Sequence, residues 1–178
     1  KLNLKRNQYN NEMEFLESEY NLNSLYDIKK LILDEEYRNS TPIVVSKQGS
    51  LFVLKYDRKK LSRNDLEGDI GLFRSIIVNE NGKILCFSPP KSITNKSDWF
   101  NVDNIFSKFL KEDNFWVEEM IEGTMINLFW WDLMNDWELA TRSQVGAKVK
   151  YNYESQNTFR YMFLDALNEM NIDLNDFD

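Results

Sequence analysis

Residues 124–131 alternate between two faces, which is the pattern of an extended β-strand, because successive side chains of a strand point to opposite sides. Thr124, Ile126, Leu128 and Trp130 share one face, and Met125, Asn127, Phe129 and Trp131 share the other. The polar residues 132–136 predict a turn, and residues 137–143 predict the returning strand. This part of the chain therefore predicts an antiparallel hairpin.

Two more hairpins are predicted upstream, each from two short apolar runs that flank a turn. The first joins residues 43–46 to 51–56 across Lys47-Gln48-Gly49-Ser50, and the second joins residues 72–78 to 83–87 across Asn79-Glu80-Asn81-Gly82. Asn-Gly is a strong hairpin signal, because both residues tolerate the positive φ of a tight turn. Pro89 and Pro90 then end the pairing, since neither donates a backbone hydrogen bond.

Apolar residues recur at helical spacing in three places. Residues 11–38 show this spacing with an interruption at 21–24, where Ser24 is a candidate cap, and residues 102–110 predict a short helix. Residues 158–170 predict a third helix with one apolar face, formed by Phe159, Met162, Phe163 and Leu167. The prediction is an α+β fold with an antiparallel sheet, in which a helical segment (residues 1–40) precedes a sheet-bearing domain (residues 41–178).

The composition excludes several kinds of chemistry. The 178 residues include no histidine, so a histidine general base, a Ser-His-Asp triad and a histidine zinc site are excluded. The one cysteine, Cys86, excludes an internal disulfide and a cysteine-rich metal cluster, and it suits an intracellular, reducing compartment. Cys86 is most simply a small, buried apolar residue.

The charge and hydropathy patterns limit the partners. A net charge of −7 argues against a general polyanion binder but leaves room for a local cationic cleft. No apolar run approaches the ~18 residues of a membrane span, and the first ten residues lack the apolar core of a signal peptide. Plentiful Lys, Asn, Ile and Tyr with little Ala indicate an AT-rich genome, which is a weak sign of a viral, phage or parasite source.

Residues 118–126, Glu-Glu-Met-Ile-Glu-Gly-Thr-Met-Ile, precede a hairpin that ends in Ala-Thr-Arg-Ser at residues 140–143. Together they resemble the start of the nucleotide-binding core of the bacteriophage-type ATP-dependent RNA ligases, in the covalent nucleotidyltransferase superfamily. The first motif of that family is Lys-x-Asp/Glu-Gly-Ser/Thr, and Glu122, Gly123 and Thr124 fill its last three positions. Residues 72–78, 81–83 and 88–91 look like the arginine strand and lysine loop that precede this motif, so the resemblance covers about residues 52–170.

Met120 stands where the family has its nucleophilic lysine. That lysine attacks the α-phosphate of ATP through its nitrogen lone pair and forms a lysyl–AMP adduct. A methionine thioether has a similar length but no amine, so the chain as written is expected not to adenylylate itself at this position. The sequence leaves open whether Met120 is native or was introduced by substitution.

The resemblance places three basic side chains on the phosphate side of a nucleotide pocket: Arg74, Lys91 and Arg142. A strand would present Arg74 as a fixed guanidinium suited to bidentate phosphate contacts, and two prolines stiffen the backbone before Lys91. The alternatives are a surface arginine on an edge strand, a solvated lysine and, for Arg142, a salt bridge with Glu138 or Glu122.

The same resemblance implies that Glu122 contacts the sugar or the reacting group and that Gly123 lets the backbone approach a nucleotide closely. The alternatives are an exposed turn acid and an ordinary turn glycine. Four tryptophans could stack on a base, although packing in the core is the more common role of such residues: Trp99, Trp116, Trp130 and Trp131. The acidic residues around Glu122 are interpreted as a solvated turn, and no metal ligand is assigned.

The resemblance implies the amino-terminal part of an antiparallel, ligase-like (ATP-grasp-like) nucleotidyltransferase core with flanking helices. Its active form uses ATP and Mg²⁺ to adenylylate itself, passes AMP to an RNA 5′-phosphate and joins the RNA 3′-OH to it. The later family motifs are not found after Arg142, so a following part of the protein or a second chain would supply them. The alternatives are a catalytically inactive ligase-derived binding or structural module, for example in a virus particle, and an unrelated α+β interaction domain.

Overall fold

The computed structural model describes residues 25–62, 65, 69–89, 119 and 122–177. The first described elements are two short helices, α1 (Ile28–Leu33) and α2 (Glu35–Asn39). Asp27 caps α1 by accepting a hydrogen bond from the Lys30 N–H, and Asp34 caps α2 by accepting one from the Tyr37 N–H. The helical segment predicted after the interruption at residues 21–24 therefore breaks again at Asp34, because the Asp34 carboxylate caps a new helix there. Residues 1–24, including the proposed Ser24 cap, lie outside the described residues, as does the predicted helix at 102–110.

Four strands form an antiparallel sheet in the order β1-β2-β3-β4: β1 (Ile43–Gln48), β2 (Leu51–Tyr56), β3 (Ile76–Asn79) and β4 (Ile84–Phe87). Both predicted upstream hairpins are therefore present. The first turn is tight, since Gln48 pairs with Leu51 and Gly49 has a φ of +67°. In the second hairpin, Ile77 pairs with Cys86 and Val78 with Ile84, so Leu85 is an extra, bulged residue.

Part of the predicted strand at residues 72–78 is wrong. A 3₁₀-helical segment, Asp69–Arg74, occupies its first half, and pairing with β2 begins only at Ile76. Phe73 explains the difference, because its fully buried ring packs edge-on against Tyr26 at 5.4 Å between ring centroids. Arg74 is therefore the last residue of a 3₁₀ segment and does not lie on a strand.

The third predicted hairpin is confirmed as a two-stranded antiparallel sheet of β5 (Ile126–Trp131) and β6 (Asp136–Thr141). Asn127 and Phe129 are the buried residues of β5, as the predicted alternation requires. The Asn127 Nδ2 group donates to the buried Ser88 hydroxyl at 2.9 Å, which links β5 to the end of β4.

The four-stranded sheet buries apolar side chains on both faces. On one face, α1 and the 3₁₀ segment cover side chains of the sheet: Phe52, Leu54, Tyr56, Ile76, Val78 and Ile84. On the other face, the β5–β6 hairpin contributes Phe129 and Ala140 to a second cluster with Leu51, Val53, Ile77, Leu85 and Cys86. The described elements thus form three layers, with helices, the larger sheet and the hairpin in that order.

The last described elements are α3 (Phe159–Glu169) and a 3₁₀ turn (Leu174–Phe177). Thr158 caps α3 by accepting from the Tyr161 N–H, so this helix lies where it was predicted. The α+β class with an antiparallel sheet is confirmed. Each described helix is too short or too polar to cross a membrane.

Cys86 is 6% exposed, as predicted for a buried apolar residue, and burial raises the pKa of its thiol to about 12. We expect the folded protein to react very slowly with a thiol-specific reagent at pH 8, because thiolate is scarce and access is blocked. The chain has one cysteine, so absorbance of the released chromophore measures this site alone. Fast reaction before denaturant is added would contradict the burial.

Because the pKa of Cys86 in the folded protein is above its ordinary value of 9.0, the stabilisation associated with this group is present below pH 9 and declines as the pH rises toward 12.

Candidate functional site

Arg142 lies in a tight turn directly after β6. The Thr141 N–H donates to the Gln144 carbonyl at 2.9 Å, which makes Arg142 and Ser143 the two central residues of the turn. The Thr141 hydroxyl also accepts from the N–H groups of Ser143 and Gln144, at 3.4 and 3.2 Å. A threonine side chain satisfies backbone donors in this way where a strand ends. The turn therefore holds Arg142 in a defined position.

The Gln48 side chain joins this turn to the larger sheet. Its amide nitrogen donates to the Ser143 carbonyl at 2.9 Å, and its amide oxygen accepts from the Val145 N–H at 2.8 Å. Lys55 adds a third contact, because its Nζ donates to the Ser143 hydroxyl at 2.9 Å. These bonds connect residues almost a hundred positions apart in the chain.

The Arg142 guanidinium contacts the segment that carries Arg74. Its Nε donates to the Arg74 carbonyl at 3.2 Å, and its Cζ lies 4.9 Å from the ring centroid of Tyr56. A guanidinium over an aromatic face gains cation–π stabilisation. Within the described part of the chain, no residue accepts a hydrogen bond from the two Nη groups, so both can bind a ligand.

Lys55 and Arg142 form a local concentration of positive charge. Burial lowers the pKa of Lys55 below its ordinary value, and the charge of Arg142 lowers it further. Neither side chain has a carboxylate partner among the residues that the structure describes. We call Lys55 and Arg142 the basic cluster; Arg74 meets it through its main-chain carbonyl. An anion bound there would offset the repulsion between Lys55 and Arg142.

The predicted alternative of a salt bridge between Arg142 and Glu138 is wrong. Glu138 pairs instead with Arg160 of α3, through the Nη1 group of that arginine. Glu122 is exposed and is not within ion-pairing distance of Arg142. The acidic residues of this hairpin therefore leave the charge of Arg142 uncompensated.

The other predicted site residues are distributed as follows. Glu122 and Gly123 are exposed just before β5, and no atom of the other described residues, apart from the chain neighbours, lies within 4 Å of the position a Cβ would take at Gly123. Gly123 has a φ of +155°, a backbone conformation that residues with a side chain rarely adopt.

The remaining predicted residues are two candidate site residues and four tryptophans. Met120 and Lys91 lie outside the described residues, as do Trp99 and Trp116. Trp130 packs edge-on against Trp137 at 5.6 Å between centroids, and Trp131 packs against the second core cluster.

Sequence reasoning missed Lys55, Ser143 and Gln48. One signal was available for Lys55, because it interrupts the apolar β2 sequence Leu-Phe-Val-Leu-Lys-Tyr on the same face as Leu51 and Val53. A lysine on a face that is otherwise covered has to reach a polar partner. No local pattern indicated that this partner is the turn after β6.

A separate cavity of about 190 Å³ lies among three turns and is lined by Ser50, Asn79, Glu80, Trp131 and Asp132, among others. Lys47 lies 3.8 Å from the Glu80 carboxylate, and Lys83 lies 3.5 Å from the Asp132 carboxylate. The charges at this cavity are therefore compensated, in contrast to those of the basic cluster.

Comparison with protein-family models, with curated proteins and with solved structures finds no match for this chain. The chemistry of the site therefore has to be argued from its own residues. Its donor set suits phosphate oxygens, because it combines a half-buried guanidinium with an ammonium and a hydroxyl. The residues that the structure describes include no group of three or more Asp, Glu or Cys side chains placed to hold a metal ion.

Proposed function

We propose that this chain is the amino-terminal part of an RNA-ligase-like nucleotidyltransferase domain, and that the basic cluster binds the phosphates of ATP or AMP. The observation that carries the proposal is that Lys55 and Arg142 lie close together and no described carboxylate compensates the charge of either one. Arg142 also contacts the backbone of Arg74. The sequence resemblance had independently assigned Arg74 and Arg142 to the phosphate side of a nucleotide pocket.

The geometry suits a phosphate in three ways. The contact to Arg74 uses only Nε of Arg142, so the paired Nη groups remain for two phosphate oxygens. Lys55 adds a point charge, and its Nζ lies 2.9 Å from the Ser143 hydroxyl. Partial burial strengthens each charge–charge interaction, because less water screens it. The α+β fold with an antiparallel sheet is compatible with a nucleotidyltransferase core.

Under this proposal, the chain binds a nucleotide but does not react with it. In the family, the lysine nitrogen attacks the α-phosphorus, a P–N bond forms, the bond to the bridging oxygen breaks and pyrophosphate leaves. Met120 offers a neutral thioether in place of the amine, so no phosphoramidate forms. Mg²⁺ would compensate phosphate charge during that step, and we assign no residue of this chain to hold it.

Met120 also favours a second candidate function. In this candidate, the chain is a ligase-derived module that serves as a binding or structural part of a larger assembly. Such a module does not catalyse nucleotide transfer and therefore does not need the lysine. This candidate predicts no specific affinity for ATP. Binding of ATP in solution therefore separates the two proposals.

We expect Arg142→Ala to weaken ATP binding by about 10- to 100-fold, because a hydrogen bond to a charged group contributes about 1.5–3 kcal/mol. Lys55→Ala is expected to act in the same direction, and the sequence resemblance predicts the same for Arg74→Ala. Isothermal titration calorimetry with ATP measures the effect, and thermal unfolding confirms that each variant is folded. Lys29→Ala is the matched control, since it removes an exposed charge from α1. Unchanged affinity in the Lys55, Arg74 and Arg142 variants would exclude the basic cluster as the phosphate site.

A further inference from the structure

Two lysines, followed by two tyrosines, lie on an exposed segment that the proposed nucleotide site does not use. Lys148, Lys150, Tyr151 and Tyr153 are all exposed, with Tyr151 at 74% and Tyr153 at 105% of full side-chain exposure. Tyrosine is usually at least half-buried in folded proteins. Two neighbouring rings displayed to solvent therefore call for an explanation. We call residues 148–158 the tyrosine loop.

The tyrosine loop is held in shape by its own hydrogen bonds. Its ends are joined by an antiparallel bridge between Lys150 and Thr158, beside a 2.9 Å bond from the Phe159 N–H to the Val149 carbonyl. Inside the loop, the Ser155 N–H donates to the Asn152 side chain at 2.7 Å, and the Ser155 hydroxyl donates to the Asn157 carbonyl at 3.0 Å. The loop therefore presents its tyrosines in a defined arrangement before any partner binds.

The rings themselves are available to a partner. Tyr151 touches Phe159 edge-on at 6.4 Å between centroids, which orients the ring and leaves most of its surface exposed. Tyr153 makes no ring contact within the described part of the chain. Both side chains have few rotatable bonds, so ordering them on binding costs little conformational entropy.

The charge of the tyrosine loop is locally positive although the chain is acidic. Neither Lys148 nor Lys150 forms an ion pair with a residue that the structure describes, and Glu154 is the one carboxylate between residues 148 and 158. The nearby Arg160 is different, since Glu138 compensates its charge. Two lysines without an ion pair among the described residues, next to two exposed aromatic rings, match a chain of flat bases joined by phosphates.

We propose that the tyrosine loop binds single-stranded polynucleotide, with Tyr151 and Tyr153 stacking on bases and Lys148 and Lys150 contacting phosphates. This surface is additional to the proposed nucleotide site and is independent of it. The choice of RNA over DNA as the natural strand rests on the proposed function. Stacking tolerates any base, so binding is expected to show little sequence preference.

The test is fluorescence anisotropy with a labelled single strand of about 12 nucleotides, the size range of such sites. Tyr151→Ala and Tyr153→Ala are each expected to weaken binding by about fivefold or more, whereas Tyr151→Phe and Tyr153→Phe retain it, because phenylalanine stacks as well. Phe177→Ala is the control for loss of an exposed aromatic side chain. The two loop lysines together predict a salt slope of about −1.4 for log K against log[salt].

The outcomes separate this inference from the proposed function. Loss of strand binding in Tyr151→Ala and Tyr153→Ala, with ATP affinity unchanged, supports the inference. Strand binding by a parent chain that does not bind ATP supports the inference and overturns the proposed function. The inference is overturned if the parent chain does not bind the strand, or if the parent and the alanine variants bind it equally. In that case the proposed function is judged by the ATP titration alone. Parallel titrations with RNA and DNA of one sequence identify the strand.

Discussion

The Met120→Lys variant is expected to gain one covalent AMP when it is incubated with ATP and Mg²⁺, whereas the parent chain gains none. The substitution restores the amine that the Lys-x-Glu-Gly-Thr pattern requires, three positions before Gly123. A lysine amine beside bound phosphates is also the group that forms a phosphoramidate. Intact-protein mass spectrometry distinguishes the adduct from bound nucleotide, because the covalent adduct survives denaturation.

The control for this experiment is Met125→Lys, which adds an amine to the same segment five residues away. An adduct on both variants would indicate nonspecific chemistry. A Met120→Lys chain that binds ATP but gains no AMP would contradict the prediction that a lysine at residue 120 is sufficient for the reaction in this chain. The double variant Met120→Lys/Arg142→Ala is expected to react much more slowly, since the basic cluster would no longer hold the phosphates.

Phe129→Ala is expected to lower the free energy of unfolding by about 3–5 kcal/mol. Phe129 is fully buried where the β5–β6 hairpin packs on the larger sheet, against a cluster that includes Val53, Ile77 and Leu85. Removal of the ring leaves a cavity that close-packed neighbours fill only in part. Denaturant unfolding, followed by far-UV circular dichroism, measures the change in midpoint and slope.

Leu133→Ala is the matched control in the same hairpin, because Leu133 lies in the β5–β6 turn and is 72% exposed. Its effect is expected to stay within about 0.5 kcal/mol. A small effect of Phe129→Ala, similar to that of Leu133→Ala, would show that the hairpin does not form a layer on the larger sheet. The position of Arg142 would then lose its structural basis, since β6 leads directly into its turn.

Local patterns predicted most of the regular elements that the structure describes. All three hairpins are present, because alternation and turn residues act over a few neighbours and tertiary contacts agree with them. The predicted strand is wrong at residues 72–74, where the apolar run belongs to a 3₁₀ segment. Burial of Phe73 decides that segment, and an apolar run by itself does not distinguish a strand from a buried helical turn.

The amino-acid order alone determined the alternating strands, the tight turn at Gly49, the buried character of Cys86 and the lack of histidine chemistry. The tertiary structure alone decided that Lys55 lies beside Arg142 and that Glu138 compensates Arg160. The physical reason is the distance along the chain over which each effect acts. Backbone preferences and side-chain periodicity are properties of adjacent residues. The contact between two cations 87 positions apart depends instead on how a hairpin packs across a sheet.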